Sequence, residues 1–258
     1  MRWARLVLHG ASAALILRFV FPRASPRTRR RLVRWWSARL LRIAGVRVRA
    51  SGPVPRSRGE AAMIAANHVS WVDIFVVLSV HPSRFIAKSE IRDWPFAGWV
   101  AARAGTLFIR RARRHDTARI NAQVHEALAQ GDCVGLFPEG TTTEGDRLLR
   151  FHTSLFEPAI ANAAVIHPAA IRYEHDDGSP CRDVAYVEDI SFMQSLGRVV
   201  ALRAVVARIA FAEPVEPGAD RDRRTVARLA HERVSSLLPP DRADNPPGTA
   251  HGPRGAPP

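Results

Sequence analysis

Residues 61–88 read AAMIAANHVSWVDIFVVLSVHPSRFIAK, and this stretch decides the fold class. Two short apolar runs, 61–66 and 84–88, flank a longer apolar stretch at 71–80 that is long enough for a helix. Downstream, the segments WPFAGWVAARA, GTLFIR, TARINAQVHEALAQ and CVGLF continue the same alternation. Short apolar runs that alternate with longer helical stretches are typical of an α/β domain. The sequence therefore predicts an α/β fold.

The rest of the chain adds three predicted elements and a tail. Residues 163–173, AAVIHPAAIRY, predict a further strand. Residues 198–215, RVVALRAVVARIAFAEPV, are rich in Val and Ile and predict a strand or a hairpin near a sheet edge. Residues 221–238 predict a last helix. Beyond them, the chain is dominated by Pro, Gly and polar residues, which cannot bury enough apolar surface to fold.

The composition fits one globular domain with additions at both ends. The chain has 258 residues, 47% hydrophobic and 24% charged, which excludes a wholly disordered, collagen-like or multi-span membrane chain. Cys133 and Cys181 lie far apart and form no CxxC motif, which argues against a disulfide framework or a structural zinc site and favours a reducing compartment. We divide the chain into a basic segment at 1–50, a folded domain at 51–238 and a disordered tail at 239–258.

The net charge of +14 belongs to the N-terminal segment. Residues 1–50 contain thirteen arginines and no acidic residue, whereas the rest of the chain carries 25 basic and 24 acidic residues. Residues 27–46 place apolar side chains among arginines at helical spacing. These apolar residues are Leu32, Trp35, Trp36, Leu40 and Ile43. The pattern is typical of a helix that lies in the headgroup layer of an anionic membrane, and segments that bind nucleic acid rarely contain so much Leu, Ile and Trp.

The first apolar stretch leaves three arrangements open. Residues 3–21 are largely apolar but contain Arg5, His9 and Arg18, and they barely reach the roughly 20 residues that a spanning helix needs. We expect the two N-terminal segments to form a membrane-binding helical hairpin. The alternatives are a hairpin that simply docks on the folded domain and a first helix that spans the membrane. A cleaved signal peptide is disfavoured because no small-x-small cleavage site precedes the basic segment.

One candidate for chemistry is the sequence NHVSWVD, residues 67–73, where an apolar strand gives way to a helix. A histidine titrates near neutral pH and can act as a general base, and a carboxylate can fix its tautomer. Because five positions span about one and a half helical turns, contact between His68 and Asp73 requires a bend or a cap at His68. The alternative is a histidine with a purely structural role. No GxSxG, GxGxxG or Walker motif occurs in the chain.

Two further segments are candidates for binding an anion. Residues 137–145, FPEGTTTEG, follow an apolar run. They would either place NH groups and threonine hydroxyls around an anionic oxygen or form an ordinary glycine turn. Residues 105–111, GTLFIRR, end in arginines, whose guanidinium groups match phosphate geometry. Arg113 and Arg114, which follow, are interpreted as a solvated basic loop.

In this order, the segments resemble the 1-acylglycerol-3-phosphate acyltransferase family, the lysophospholipid acyltransferases. NHVSWVD is similar to the family's N-H-x4-D block, GTLFIRR to its G-x-x-F-I-x-R block and FPEGTTTEG to its F-P-E-G-T block. AVIHPAAIRY resembles a fourth block, a strand that carries a proline. The resemblance covers about residues 60–210. It implies a central mixed sheet flanked by helices, with an amphipathic, membrane-binding helical hairpin at the N-terminus.

The resemblance also implies roles for individual residues. His68 is expected to take the proton from the acceptor hydroxyl, and Asp73 to orient the imidazole and stabilise its charge. The expected substrate-binding residues are Asn67, Lys88, Arg111, Glu139, Gly140, Thr141 and, on the acyl side, Pro168. Because a carboxylate repels phosphate, Glu139 is expected to orient Arg111 or a loop NH. The resemblance implies neither metal nor cofactor, and acyl-ACP or acyl-CoA is the expected co-substrate.

The acceptor is where this sequence departs from the family. Thr142 stands where many members have an arginine, and His152 stands where a more basic residue is common. FPEGTTTEG and the downstream RFHTSLFEPA, residues 150–159, resemble a bacterial branch that includes acyltransferases for lyso-ornithine lipid, which has no phosphate. We expect acyl transfer to 1-acylglycerol 3-phosphate, giving phosphatidic acid. The alternative acceptor is lyso-ornithine lipid or another lysophospholipid.

The expected partners are the lysolipid, the thioester donor and an anionic membrane surface, without nucleic acid. Acyl transfer of this kind implies the cytoplasmic face of the inner membrane. Two other functional classes stay open. One is a lipid hydrolase, although no serine nucleophile signature occurs. The other is a non-catalytic membrane or nucleic-acid binding module that depends on the arginine-rich segment.

Overall fold

The chain folds around a mixed sheet with helices on both faces. The computed structural model describes residues 1–55, 60–94, 96–109, 114–187, 190–218 and 222–239. Its seven strands in these residues are β1 (Val46–Ser51), β2 (Ala62–Ala66), β3 (Arg84–Lys88), β4 (Leu107–Ile109), β5 (Cys133–Leu136), β6 (Val165–Glu174) and β7 (Val205–Phe211). The strand order is β1-β7-β6-β2-β5-β3-β4, and only β6 and β7 pair antiparallel. The predicted fold class is confirmed.

The helices precede, connect and cover these strands. In the described residues they are α1 (Arg2–Leu15), α2 (Pro26–Ala44), α3 (Val72–Val80), α4 (Ala97–Arg103), α5 (Arg114–Ala129), α6 (Glu157–Ala161), α7 (Phe192–Ala201) and α8 (Arg223–Leu237). A π-helical turn at Ile16–Val20 and a 3-10 turn at Phe21–Arg23 extend α1. Further 3-10 turns lie at Ser89–Asp93, Thr153–Phe156 and Arg182–Val184.

The sheet buries a separate core on each face. On one face, α2, α3 and α7 cover side chains that include Ile64 and Ile171. On the other face, α5, α6 and α8 cover side chains that include Met63 and Val134. Neighbouring residues of β2 therefore enter opposite cores. This explains why β2 is apolar at every position rather than at every second one.

The two N-terminal helices form the expected hairpin, and one side of it docks on the folded domain. The His9 ring stacks on Trp36 with 4.6 Å between ring centroids, and its Nε2 lies 3.0 Å from the Trp36 carbonyl oxygen. The Arg2 guanidinium donates to the carbonyl oxygens of Val200 at 3.0 Å and Arg203 at 2.9 Å. The helical segment Arg2–Arg23 is also long and apolar enough to cross a membrane, judged by length and composition.

The stretch from 198 to 215 supplies the predicted strand near a sheet edge, as β7. Only its first four residues differ from the prediction: they end α7, because a capping box of Ser191 and Gln194 starts a helix just upstream. The strand β7 follows and lies second from the sheet edge, between β1 and β6. Arg114, interpreted as part of a loop, begins α5. The predicted last helix is confirmed as α8, which Asp222 caps.

Candidate active site

His68 and Asp73 meet at the carboxyl end of β2. The His68 Nδ1 lies 2.9 Å from the Asp73 Oδ2. Residues 67–71 form a turn between β2 and α3, and α3 begins only at Val72, so the bend that the spacing required is present. Because Nδ1 faces an anionic oxygen, we assign the ring proton to Nδ1 and a free lone pair to Nε2. This tautomer is the one that a general base needs.

The Asp73 carboxylate is buried and holds the turn together. Its Oδ2 also accepts hydrogen bonds from the NH groups of Val69 at 2.7 Å and Ser70 at 2.8 Å. Its Oδ1 accepts one from the Tyr173 hydroxyl at 2.5 Å. Burial, together with the Asp73 charge, raises the pKa of Tyr173 well above its ordinary value, so the hydroxyl stays a donor. Four donors therefore compensate one buried charge.

Tyr173 is a site residue that sequence reasoning missed. It lies on β6, one hundred positions beyond Asp73 in the chain. The signal was present in the strand itself, because Ala169, Ile171 and Tyr173 recur at every second position and share one face. A tyrosine at the end of such a face can turn its hydroxyl toward the sheet edge. Nothing in the sequence alone said that β6 lies beside β2.

The His68 ring is held flat against a second aromatic ring. It stacks on Phe137 with 4.0 Å between centroids and an angle of 3° between planes. Phe137 in turn stacks on Phe85 at 5.4 Å. The His68 side chain keeps 19% of its surface exposed, while Asp73 has none. One edge of the imidazole is therefore fixed by Asp73, and the ring stays accessible for a reactant.

The FPEGT loop forms hydrogen bonds with both the NH and the carbonyl oxygen of His68. Because β2 and β5 are parallel neighbours, the loops at their carboxyl ends meet. Glu139 accepts from the His68 NH at 2.7 Å and from the Leu149 NH at 2.8 Å. The Thr143 NH donates to the His68 carbonyl oxygen at 2.9 Å. Of the two arrangements expected for Glu139, the structure has the loop NH, so this carboxylate positions His68.

Burial of the Glu139 carboxyl changes its pKa. Only 4% of the residue is exposed. Burial raises its pKa to about 7, the NH groups of Leu149 and His68 oppose the rise, and the Asp73 charge adds to it. Both carboxylate oxygens are used on main-chain NH groups, which gives Glu139 a positioning role in this structure. Its contact with the acceptor stays a prediction.

Replacing Glu139 with glutamine tests that role. The amide would turn an NH2 group toward one of the two NH donors, so we expect about 1–3 kcal/mol lower stability. Displacement of His68 should lower kcat roughly 10- to 100-fold. Chemical denaturation and steady-state transfer assays measure both. Glu213→Gln, the same change at an exposed residue, is the control and should do neither. An active, stable Glu139→Gln protein would remove Glu139 from the site.

Two predicted substrate-binding residues are instead part of the sheet. The Asn67 amide bridges to Ile171, donating to its carbonyl oxygen at 3.0 Å and accepting from its NH at 2.7 Å. Pro168 is buried within β6 opposite Ala65, and it shares the face of Ile166, away from Tyr173. In this structure the Asn67 amide is used in main-chain hydrogen bonds and Pro168 in packing, and their substrate contacts stay a prediction.

The remaining predicted residues differ in where they lie. Gly140 adopts φ +77°, and a Cβ there would lie 3.1 Å from the His152 ring, so only glycine fits the turn. Thr141, the next residue of the loop, is exposed. Thr142 donates its hydroxyl to the Tyr186 carbonyl oxygen. Lys88 ends β3, but its side chain lies outside the described part of the chain, as does all of Arg111.

A His–Asp pair with a buried carboxylate, at the edge of a mixed α/β sheet, is typical of an enzyme, and comparison with known proteins identifies the family. Residues 46–172 match the family model Acyltransferase. Lyso-ornithine lipid O-acyltransferase from Pseudomonas aeruginosa is 40% identical over 210 residues, which cover 81% of this chain and 79% of that protein. 1-Acyl-sn-glycerol-3-phosphate acyltransferase from Neisseria meningitidis serogroup B is 33% identical over 216 residues, 84% of each chain.

A solved structure supports the same fold. The crystal structure of the 1-acyl-sn-glycerophosphate (LPA) acyltransferase PlsC from Thermotoga maritima aligns with a TM-score of 0.64. The alignment covers 92% of this chain and 98% of that one, at 20% sequence identity. The chain belongs to the lysolipid acyltransferase family. It is therefore an acyltransferase that acts on a lysophospholipid-type acceptor.

Proposed function

We propose that the enzyme moves a fatty acyl chain from a thioester to the free hydroxyl of a lysolipid, with His68 as general base. The observation that carries this is the buried, fully hydrogen-bonded Asp73 against the Nδ1 of His68. The His68 Nε2 takes the hydroxyl proton as the acceptor oxygen bonds to the thioester carbonyl carbon. The carbon–sulfur bond then breaks, and the imidazolium returns the proton to the thiolate that leaves.

Asp73 supports both halves of this cycle. Its charge lies beside Nδ1 and stabilises the imidazolium that forms between the two proton transfers. Stacking on Phe137 and the grip of Glu139 and Thr143 keep the ring in place. The reaction as proposed needs no acyl-enzyme, no metal and no cofactor. We propose acyl-ACP or acyl-CoA as the donor.

The acceptor we favour is lyso-ornithine lipid, which reverses the order of preference set by the sequence. Relatives with that name reach 40% and 35% identity, while those named for 1-acylglycerol 3-phosphate reach 33%. Thr142, in place of an arginine, uses its hydroxyl on the Tyr186 carbonyl oxygen. An acceptor without phosphate needs no cation at that point. 1-Acylglycerol 3-phosphate is the second candidate, favoured by the Neisseria relatives.

A direct comparison of acceptors tests the proposal. The full-length protein is incubated in anionic vesicles with acyl-ACP or acyl-CoA and with each lysolipid in turn, and thiol release and diacyl product are followed. We expect transfer with a higher kcat/KM for lyso-ornithine lipid. A preference for 1-acylglycerol 3-phosphate would exchange the acceptor and keep the reaction. Thioester hydrolysis without any acylated lipid would contradict the proposal.

We also propose that the enzyme works at an anionic membrane surface, on the cytoplasmic face of the inner membrane where its thioester donors occur. The buried side of α1 docks on the protein, while Trp3, Val7 and Leu8 on its other side are exposed. Between α2 and β1 lies a groove of about 970 Å³, and none of the described residues that line it is acidic. Its arginines are Arg27, Arg30, Arg31, Arg34, Arg42 and Arg47. Apolar and cationic surfaces on one hairpin suit anionic lipid.

A further inference from the structure

The large apolar side chains that stay exposed are concentrated in three places among the described residues. The hairpin of α1 and α2 carries eight of them: Met1, Trp3, Val7, Leu8, Leu15, Phe19, Val20 and Trp35. Three more surround the start of α4, namely Trp94, Phe96 and Trp99, and Met193 begins α7. We call these last four residues the second apolar patch. Contiguous exposed apolar surface of this kind marks a docking site.

The second apolar patch is continuous with the hairpin. A Cβ built on Gly10 of α1 would lie 3.7 Å from the Phe96 ring, so this ring rests on the helix. Phe96 has φ +65°, a conformation that is unfavourable for a bulky residue, and it is nevertheless 51% exposed. The backbone thus holds an aromatic ring out at the surface, beside the exposed side of α1.

The patch is a built surface rather than a loose loop. A Cβ at Gly98 would lie 2.1 Å from the Arg92 carbonyl oxygen, so α4 packs directly on the preceding turn. Cations accompany the aromatic rings: the Arg103 guanidinium lies 5.3 Å from the Trp99 ring centroid. Tryptophan paired with arginine is the composition of a membrane–water interface.

A row of rings connects the patch to the catalytic turn. Trp94 lies 5.1 Å from Phe192, and Phe192 lies 5.2 Å from Trp71, measured between ring centroids. Trp71 stands in the turn between His68 and Asp73, and its Nε1 donates to the Ser195 Oγ at 3.0 Å. The patch therefore lies beside the turn that carries His68 and Asp73.

We propose that Trp94, Phe96, Trp99 and Met193 form a second bilayer-contacting surface, which together with α1 turns the catalytic edge toward the lipid. This inference rests on the proposed membrane function. A bilayer is favoured over a protein partner because the patch continues the apolar side of α1 and mixes tryptophan with arginine. It would place the His68 ring close to the headgroup layer, so that a lysolipid reaches Nε2 without leaving the membrane.

Site-specific fluorescent labelling tests the inference and does not depend on an assay of acyl transfer. Met193→Cys and Trp99→Cys place an environment-sensitive fluorophore on the patch of the full-length protein. Leu8→Cys on α1 and Ser236→Cys on α8 are the positive and negative controls, since both residues are exposed. The native Cys133 and Cys181 are buried, and burial raises the pKa of both thiols, so they react slowly.

The probe is a vesicle of phosphatidylethanolamine and phosphatidylglycerol with brominated acyl chains. We expect quenching at positions 193 and 99 that is comparable to position 8 and absent at 236. We also expect the double variant Phe96→Ser/Trp99→Ser to bind these vesicles with about tenfold lower affinity. Quenching at position 8 alone would overturn this inference and leave the membrane proposal standing. No quenching at any position would overturn both proposals. An emission shift that appears without vesicles, when the protein concentration is raised, would show that the patch binds a second copy of the chain instead.

Discussion

Replacing His68 with glutamine should lower kcat for acyl transfer about 10³-fold, within the range by which a positioned general base accelerates a reaction. Glutamine retains a polar group for Asp73 but has no nitrogen that can take a proton near neutral pH. Acceptor binding should change little, because the imidazole acts on a hydroxyl that other contacts hold. Steady-state assays over a range of acceptor concentrations separate kcat from KM.

The matched control for this variant is His125→Gln. His125 is exposed on α5, where its Nδ1 lies 2.7 Å from the Asn162 amide nitrogen, and it belongs to the opposite face of the sheet. The His125→Gln variant should transfer acyl groups at the rate of the unchanged protein. Both variants should stay folded and unfold at a denaturant concentration close to that of the unchanged protein, since the glutamine amide can still donate to Asp73 in place of the His68 Nδ1. If His68→Gln kept more than a tenth of the activity, another group would have to be the base.

Much of the site follows from the sequence because parallel strands bring their carboxyl ends together. The NHVSWVD and FPEGTTTEG segments each follow an apolar run, which predicts that each begins where a strand ends. The structure adds that β2 and β5 are neighbours, which lets Glu139 and Thr143 hold the His68 peptide groups. The local sequence pattern predicts where each loop begins. Only the order of the strands in the sheet shows that the two loops are in contact.

What the sequence could not predict depends on long-range packing. Tyr173 reaches Asp73 from β6, and no local pattern says which strand lies beside β2. Residues 198–201 are Val-rich, and a capping box several residues upstream outweighs their strand propensity. Asn67 lies in a family motif, yet its amide completes the bonding of β6. Tyr173 and Asn67 were decided by contacts between distant parts of the chain, whereas the helix that ends at 198–201 was decided by a local cap that outweighs the strand propensity of those residues.

Replacing Asp73 alone with asparagine should lower kcat roughly 10² to 10⁴-fold relative to the unchanged protein, and the variant should still fold. The amide oxygen can still accept from the Val69 and Ser70 NH groups, but the charge that stabilises the imidazolium is lost. The amide NH2 must then face either the Tyr173 hydroxyl or the donors on the other side. We therefore expect about 1–3 kcal/mol lower stability, measured by chemical denaturation.

Tyr173→Phe separates the charge of Asp73 from its hydrogen bonding. This variant removes one donor at 2.5 Å but leaves the carboxylate charged and bound by His68, Val69 and Ser70. It should lose about 1–2 kcal/mol of stability and less than tenfold in kcat. Tyr186→Phe, the same change at the other tyrosine, is its control. Equal losses of kcat in Asp73→Asn and Tyr173→Phe would mean that Asp73 acts only by holding the turn, and that its charge does not assist the proton transfer.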